Sequence, residues 1–151
     1  MDKEICFIIH AAPRGKDRPR QSTIRLKDGR VISHFHSTPR TAEYEELIRQ
    51  EFAVQVRGAE VIPKTVPLTM EIDAYFPVPK STTKKNRHLM DLRQLLPTKK
   101  PDADNIAKIV ADALNGTAYA DDAQIITLSV TKLYAKDGEG GYMEVRIAPC
   151  K

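Results

Sequence analysis

Glycine is scarce in this 151-residue chain, cysteine occurs twice, and no apolar run approaches the length of a membrane span. Seven glycines, with no low-complexity tract and no internal repeat, exclude fibrous and solenoid architectures. Cys6 and Cys150 lie near opposite ends in strand-like stretches, which excludes a disulfide scaffold and reads as a pair of reduced thiols. A spanning helix needs ~20 apolar residues, and none is present. The N-terminal ICFIIHAA is short, interrupted by His10 and preceded by Asp2-Lys3-Glu4, the wrong charge for a signal peptide. What is there is an ordinary globular composition, 41% hydrophobic and 29% charged. A chain of this length buries ~70% of its unfolded surface without staples. One domain over residues 1–151, located in the cytoplasm, is expected.

The charge is unevenly placed. Residues 14–30 carry seven Lys/Arg against two Asp, a balance of +5, and residues 80–100 carry seven against one, a balance of +6. With a total of +4, the rest of the chain stands at −7. Concentrated cationic segments beside an acidic body suit a polyanionic partner.

Periodicity gives the elements. Residues 5–10 read as a buried strand, and 22–27 and 30–35 as a hairpin around Asp28-Gly29, a two-residue turn signal. Ser37-Thr38-Pro39 opens a helix running to about Val56, with Tyr44, Leu47, Ile48 and Phe52 as its apolar stripe. Alternation from Val66 to Phe76 predicts a half-buried strand, closed by Pro77 and Pro79. Ser81 is placed as the cap of a helix reaching towards Leu96. Ile126, Leu128 and Val130 predict a buried strand, Asp137 to Gly141 a turn, and Met143, Val145 and Ile147 a returning strand. The mixture lacks regular βαβ alternation, so the expected fold is α/β of α+β type, a mixed, largely antiparallel sheet with about three helices.

The chemistry concentrates in KPDADNIAKIVADALNG, residues 100–116. Ile106, Ile109, Val110 and Ala113 repeat at helical spacing on one face. Asp104, Lys108 and Asp112 fall on the other, with Asn105 alongside, and Asn115-Gly116 stops the helix. Acidic residues near a helix start favour the macrodipole, and Asp104 to Lys108 is an i, i+4 pair worth ~0.2–0.5 kcal/mol. That leaves Asp121-Asp122 unexplained. A chain returning along the helix after Asn115-Gly116 is expected to bring them back to Asp102 and Asp104, and four carboxylates would then repel unless a cation sat among them. A hard divalent ion such as Mg²⁺ suits oxygen ligands, retained waters and substrate phosphates. It polarises a phosphodiester and orients water, with Lys108 positioned to stabilise developing charge. An EF-hand is excluded because Ile106, Ala107 and Ala113 stand where it needs ligands or glycine. Zinc is disfavoured, since His10, His34, His36 and His88 show no ligand spacing with the cysteines.

Pro101-Asp102-Ala103-Asp104-Asn105, Lys108, Asp112-Ala113-Leu114-Asn115-Gly116 and Asp121-Asp122-Ala123-Gln124-Ile125 resemble the signature of the RusA-family Holliday junction resolvases. The strong match covers about residues 97–135, with weaker agreement upstream to the longer, phage-associated members. The resemblance implies a Mg²⁺-dependent endonuclease, with Mn²⁺ as a substitute, acting as a homodimer on four-way DNA junctions in recombination and repair. It implies Asp102, Asp104 and Asp122 as metal-binding carboxylates and Lys108 as the catalytic lysine. Asp121 aligns with a neighbouring acidic residue, Asn105 is assigned hydrogen-bonding support, and Asp112 is assigned to hold Lys108. Two segments depart from the compact members: Pro13 to Arg20 diverges, and the basic 80–100 stretch is longer.

Phosphate contacts are expected from Arg14, Lys16, Arg18, Arg20, Lys84, Lys85, Arg87, Lys99 and Lys100. Two other readings stand beside the resolvase: a catalytically inactive DNA-binding protein of the same fold, and a general flap or branch nuclease.

Overall fold

The computed structural model describes residues 4–150. Met1 to Lys3, in the charged stretch ahead of the first strand, and Lys151 lie outside the described residues. The elements in chain order are β1 (Ile5–Ile9), β2 (Arg20–Arg25), β3 (Val31–His36), α1 (Pro39–Gln55), β4 (Leu68–Phe76), α2 (Lys84–Asp91), α3 (Ala103–Leu114), β5 (Ile125–Tyr134) and β6 (Tyr142–Pro149). The main sheet runs β1-β6-β4-β5, and β2-β3 form a separate two-stranded ribbon. β6 is antiparallel to both β1 and β4, whereas β4 and β5 are parallel. The expected mixed, largely antiparallel sheet in an α+β domain is what the chain forms.

Period-two patterning puts one face of this sheet in the core. Ile5, Phe7 and Ile9 stand opposite Ile147, Val145 and Met143, which in turn meet Met70, Ile72 and Ala74. Helices α1 and α3 close over them with Ile48 and Phe52 and with Ile106, Ile109, Val110, Ala113 and Leu114. Phe7 and Phe52 meet edge-to-face at 5.4 Å. Each fully buried Ile or Leu here contributes ~1.5–3 kcal/mol relative to exposure.

Parallel strands require a crossover, and α3 supplies it between β4 and β5. The helix therefore runs back against the strand direction. Its N-terminus lies at the end of the sheet where β4 and β5 finish: the Lys99 ammonium sits 5.8 Å from the centre of the Phe76 ring and 5.9 Å from that of Tyr134. Its C-terminus lies where β5 begins. α1 points the same way as α3, since Tyr44 Oη donates to the Ala12 carbonyl while Gln55, at the far end, bonds Ile8.

Three expectations need correction. The hairpin does not turn on two residues: Gly29 N–H donates to the Leu26 carbonyl at 3.0 Å and Leu26 N–H to that of Arg30 at 2.8 Å, closing a three-residue Lys27-Asp28-Gly29 loop. Gly29, at φ +84°, occupies the left-handed position that loop demands. The helix placed from Ser81 to Leu96 is only Lys84–Asp91, capped by Thr83, whose hydroxyl accepts from Asn86 N–H at 3.2 Å. Third, β5 is the sheet's edge strand, and Ile126 and Leu128 are 67% and 44% exposed rather than core. Pairing with β4 slips between Leu68 and Thr69, leaving Ile126 without an opposite residue.

Candidate active site

Helix α3 presents the signature residues from one end. Asp102 is its N-cap in extended conformation, yet its side chain makes no capping hydrogen bond. An N-cap aspartate ordinarily accepts from a first-turn N–H; here the carboxylate is exposed and uncommitted to the helix. Asp104 is exposed in the first turn. Lys108 follows one turn later, 64% exposed. Lys99 and Lys100 precede this corner, and Lys132 on β5 joins them by donating its ammonium to the Lys99 carbonyl. Lys132 escaped the sequence reading. The available signal was a cation at the next position of the Ile126, Leu128, Val130 alternation.

The segment ahead of the hairpin is packed against the same corner. Lys16 N–H donates to the Asn105 carbonyl at 3.0 Å. A Cβ on Gly15 would stand 2.8 Å from Asn105 Cβ and 3.0 Å from Pro101 Cβ, so only glycine permits this approach. Asn105 thus ties this segment to the helix through its backbone carbonyl. Gly15→Val should lower Tm by the equivalent of ~1–3 kcal/mol, read by thermal melting; an unchanged Tm would refute the fit.

Lys16 is not displayed to a polyanion. Its side chain is 16% exposed, and its ammonium lies 3.1 Å from Glu45 Oε1 and in contact with Asp112 Oδ2. Burial works against the charge, but the hydrogen bonds the ammonium donates to Asp112 and Glu45 outweigh it and raise the lysine's pKa. Asp112 is therefore shared: Lys16 holds it closely, while Lys108 stands 3.8 Å away. Arg14 and Arg87 are also engaged, with Asp17 at 3.5 Å and Asp137 at 2.8 Å. Arg18, Arg20, Lys84, Lys85, Lys99 and Lys100 remain exposed.

Asp121 and Asp122 lie at the other end of α3. After Leu114 the chain turns at once: Thr117 and Ala118 N–H both return to the Leu114 carbonyl, and the buried Tyr119 donates its hydroxyl to the Ala111 carbonyl at 2.7 Å. The segment climbs back no further than that. Asp121 caps the short 3-10 turn Asp122–Gln124 by accepting from Ala123 N–H, and pairs with Lys64 at 2.7 Å. The Lys64 hydrogen bond and that N–H hold its carboxyl below the usual range. Gln124, buried, donates to the carbonyls of Pro63 and Val66 and accepts from Asp121 N–H. In the Asp-Asp-x-Gln stretch, then, Asp121 and Gln124 fasten the turn, and Asp122 is left to face the groove.

That groove, about 610 Å³, runs the length of α3 between the helix and the edge strand. Asp104 and Lys108 line it towards one end, Asp122 and Ile125 towards the other, with Ala103, Ala107 and Ala111 as its floor and Ile126, Leu128 and Val130 as its far wall. At a rise of 1.5 Å per residue, Asp104 and Asp112 are ~12 Å apart along the axis, and Asp122 lies at the Asp112 end. The convergence of four carboxylates expected from the sequence does not occur within one chain. Among the described residues no group of three or more His, Cys, Asp or Glu side chains could hold a metal ion. A crossover helix separates its own start from the start of the following strand.

A sequence model of the family described as endodeoxyribonuclease RusA matches residues 11–148 of the chain. An uncharacterised protein of Bacillus subtilis (strain 168), YqaN, is 34% identical over 135 residues, covering 88% of this chain and 89% of that one. No helix among the described residues is long and apolar enough to cross a membrane.

Proposed function

From the premise that the chain belongs to the RusA endodeoxyribonuclease family, we propose that it resolves four-way DNA junctions as a Mg²⁺-dependent homodimer, cutting a phosphodiester on each of two strands. Mn²⁺ is expected to substitute, the setting is recombination and repair, and the location the cytoplasm. The observation that carries the reading is the uncommitted Asp102–Asp104 pair at a helix N-terminus, with Lys99 and Lys100 just ahead of it, Lys108 one turn further on, and Lys132 bonded to the Lys99 carbonyl. Exposed N–H groups and the positive end of the helix dipole favour a phosphate there. The lysines add charge without reading sequence.

A single chain does not surround a cation with all three family carboxylates. Asp102 and Asp104 alone suit Mg²⁺, which is commonly held by one or two carboxylates with substrate phosphates and water. When bound, such an ion polarises the phosphodiester and its attacking water. The third carboxylate has a geometric source. In an isologous pair, each patch meets its own copy in reverse. Two α3–β5 grooves facing each other antiparallel would set Asp102 and Asp104 of one chain against the Asp122 end of the other. Ile126 and Leu128, exposed on the edge strand beside the groove, are the apolar surface that such a pairing would bury. Homodimerisation then completes each site as well as doubling it.

Lys108 shares the helix face of Asp104 and carries its charge towards the groove, where it can stabilise negative charge on the reacting phosphate. Asp112, fixed from behind by Lys16, keeps a carboxylate within 3.8 Å of that ammonium and limits its swing. The test is incision of a synthetic four-way junction with Mg²⁺ beside linear duplex and flap controls. Paired cuts in the junction alone support the reading. Equal cutting of every substrate would favour a general branch nuclease, and binding without cutting an inactive DNA-binding protein.

A further inference from the structure

The β2–β3 ribbon is a 17-residue excursion, residues 20–36, that belongs to neither the sheet nor the core. All of β3, and all of β2 but Ser22, is exposed, and neither strand packs extensively against another element among the described residues. Its base, by contrast, is fastened. Thr38 Oγ1 donates to Asp17 Oδ2 at 2.7 Å and Asp17 N–H to Thr41 Oγ1 at 3.3 Å, one residue from the Lys16–Asn105 bond. The ribbon therefore leaves the body at the Asp102–Asp104 end, held where it starts and free along its length.

Its surface is unusual for an exposed ribbon. Ile24 and Ile32 pair across one face, while Val31 and Phe35 share the other, and Phe35 is 69% exposed. Arg20, Arg25, Lys27 and Arg30 against Asp28 give a net +3, before His34 and His36. Arg30 is paired with Asp28 at 2.7 Å, which leaves Arg25 and Lys27 as the unpaired cations near the tip. Because the apolar residues are split between faces, neither face offers a protein partner a patch to bury. A second copy of so basic a ribbon would be repelled. A duplex suits both properties: the major groove, ~12 Å wide, admits a two-stranded ribbon, and its walls are phosphates.

We propose that the β2–β3 ribbon is a DNA-gripping arm, entering a groove of the duplex that flanks the cleavage site and placing Arg25 and Lys27 on phosphates away from the cut. Six residues of strand at ~3.3 Å each reach ~20 Å, or about six base pairs at 3.4 Å per pair. This inference rests on the nuclease reading for its position and on charge alone for its affinity, so the two can be tested apart.

The experiment compares the Asp104→Asn protein with the same protein carrying Arg25→Gln and Lys27→Gln. Hydroxyl-radical footprints on a junction should show a protected patch about six base pairs from the position where the parent protein cuts. That patch should vanish in the double variant while protection at the branch remains. The slope of log affinity against log salt should become shallower by about 2, one counterion set per lost phosphate, on linear duplex as well. An unchanged footprint and slope overturn the arm. A change in solution mass without a change in slope overturns it in favour of a contact between protein copies. Should the parent cut no junction, the nuclease reading fails, and the slope on linear duplex still decides whether the ribbon binds DNA.

Discussion

Asp104→Asn and Asp122→Asn should each lower junction cleavage by at least ~10³-fold, about 4 kcal/mol of lost transition-state stabilisation, while leaving junction affinity within about threefold. Either substitution keeps the side chain's shape and removes its charge. Neither residue supports the fold: Asp104 is exposed on the first turn of α3, and Asp122 faces the groove while Asp121 and Gln124 fasten the turn beside it. On the proposed reading, binding rests instead on the exposed lysines and arginines, so it should survive and even strengthen slightly as negative charge is removed. Single-turnover cleavage beside anisotropy titrations separates the two effects. A cleavage-competent Asp122→Asn would detach that residue from the chemistry altogether.

Replacing Ile126 and Leu128 together with glutamate should convert the proposed dimer to monomer at micromolar concentration and reduce cleavage at least ~100-fold, the equivalent of ~3 kcal/mol. Both side chains already face solvent, so the monomer fold should be unchanged by circular dichroism. Four added carboxylates per pair would face one another across a desolvated two-fold contact, where like charges repel strongly. Light scattering reads the mass, and a nicking assay at the same protein concentration reads the consequence. A variant that stays dimeric and active would place the interface elsewhere and leave the exposed edge of β5 unexplained.

Local rules predicted the elements and misjudged their meeting. Thr38-Pro39 at the head of α1, the alternation of β4, and the helical spacing of Ile106, Ile109, Val110 and Ala113 are local features, and each lies where its pattern placed it. The Lys84–Asp91 helix is shorter at both ends: Thr83, not Ser81, stands at its N-cap, and Arg93, at φ 57°, leaves the helical conformation well before Leu96. The larger error concerned Asp122. Sequence proximity to α3 suggested return to its start, but the parallel pairing of β4 with β5 is a long-range fact, and it fixes α3 as a crossover with Asp102 and Asp122 at opposite ends. The same pairing left Ile126 and Leu128, whose alternation imitates a core strand, on the open edge. Lys16 looked like one more surface cation; only the fold brings Glu45 and Asp112 to it from two helices.

The proposed sharing of a site between two chains can be tested most directly by mixing two inactive proteins. Asp104→Asn and Asp122→Asn chains, unfolded together and refolded, should assort into pairs of which about half are mixed. If each site takes Asp102 and Asp104 from one chain and Asp122 from the other, every mixed pair holds one intact site, and nicking returns at about a quarter of the parent rate. If each chain carries its own complete site, every site in the mixture lacks a carboxylate, and the mixture stays as inert as either protein alone.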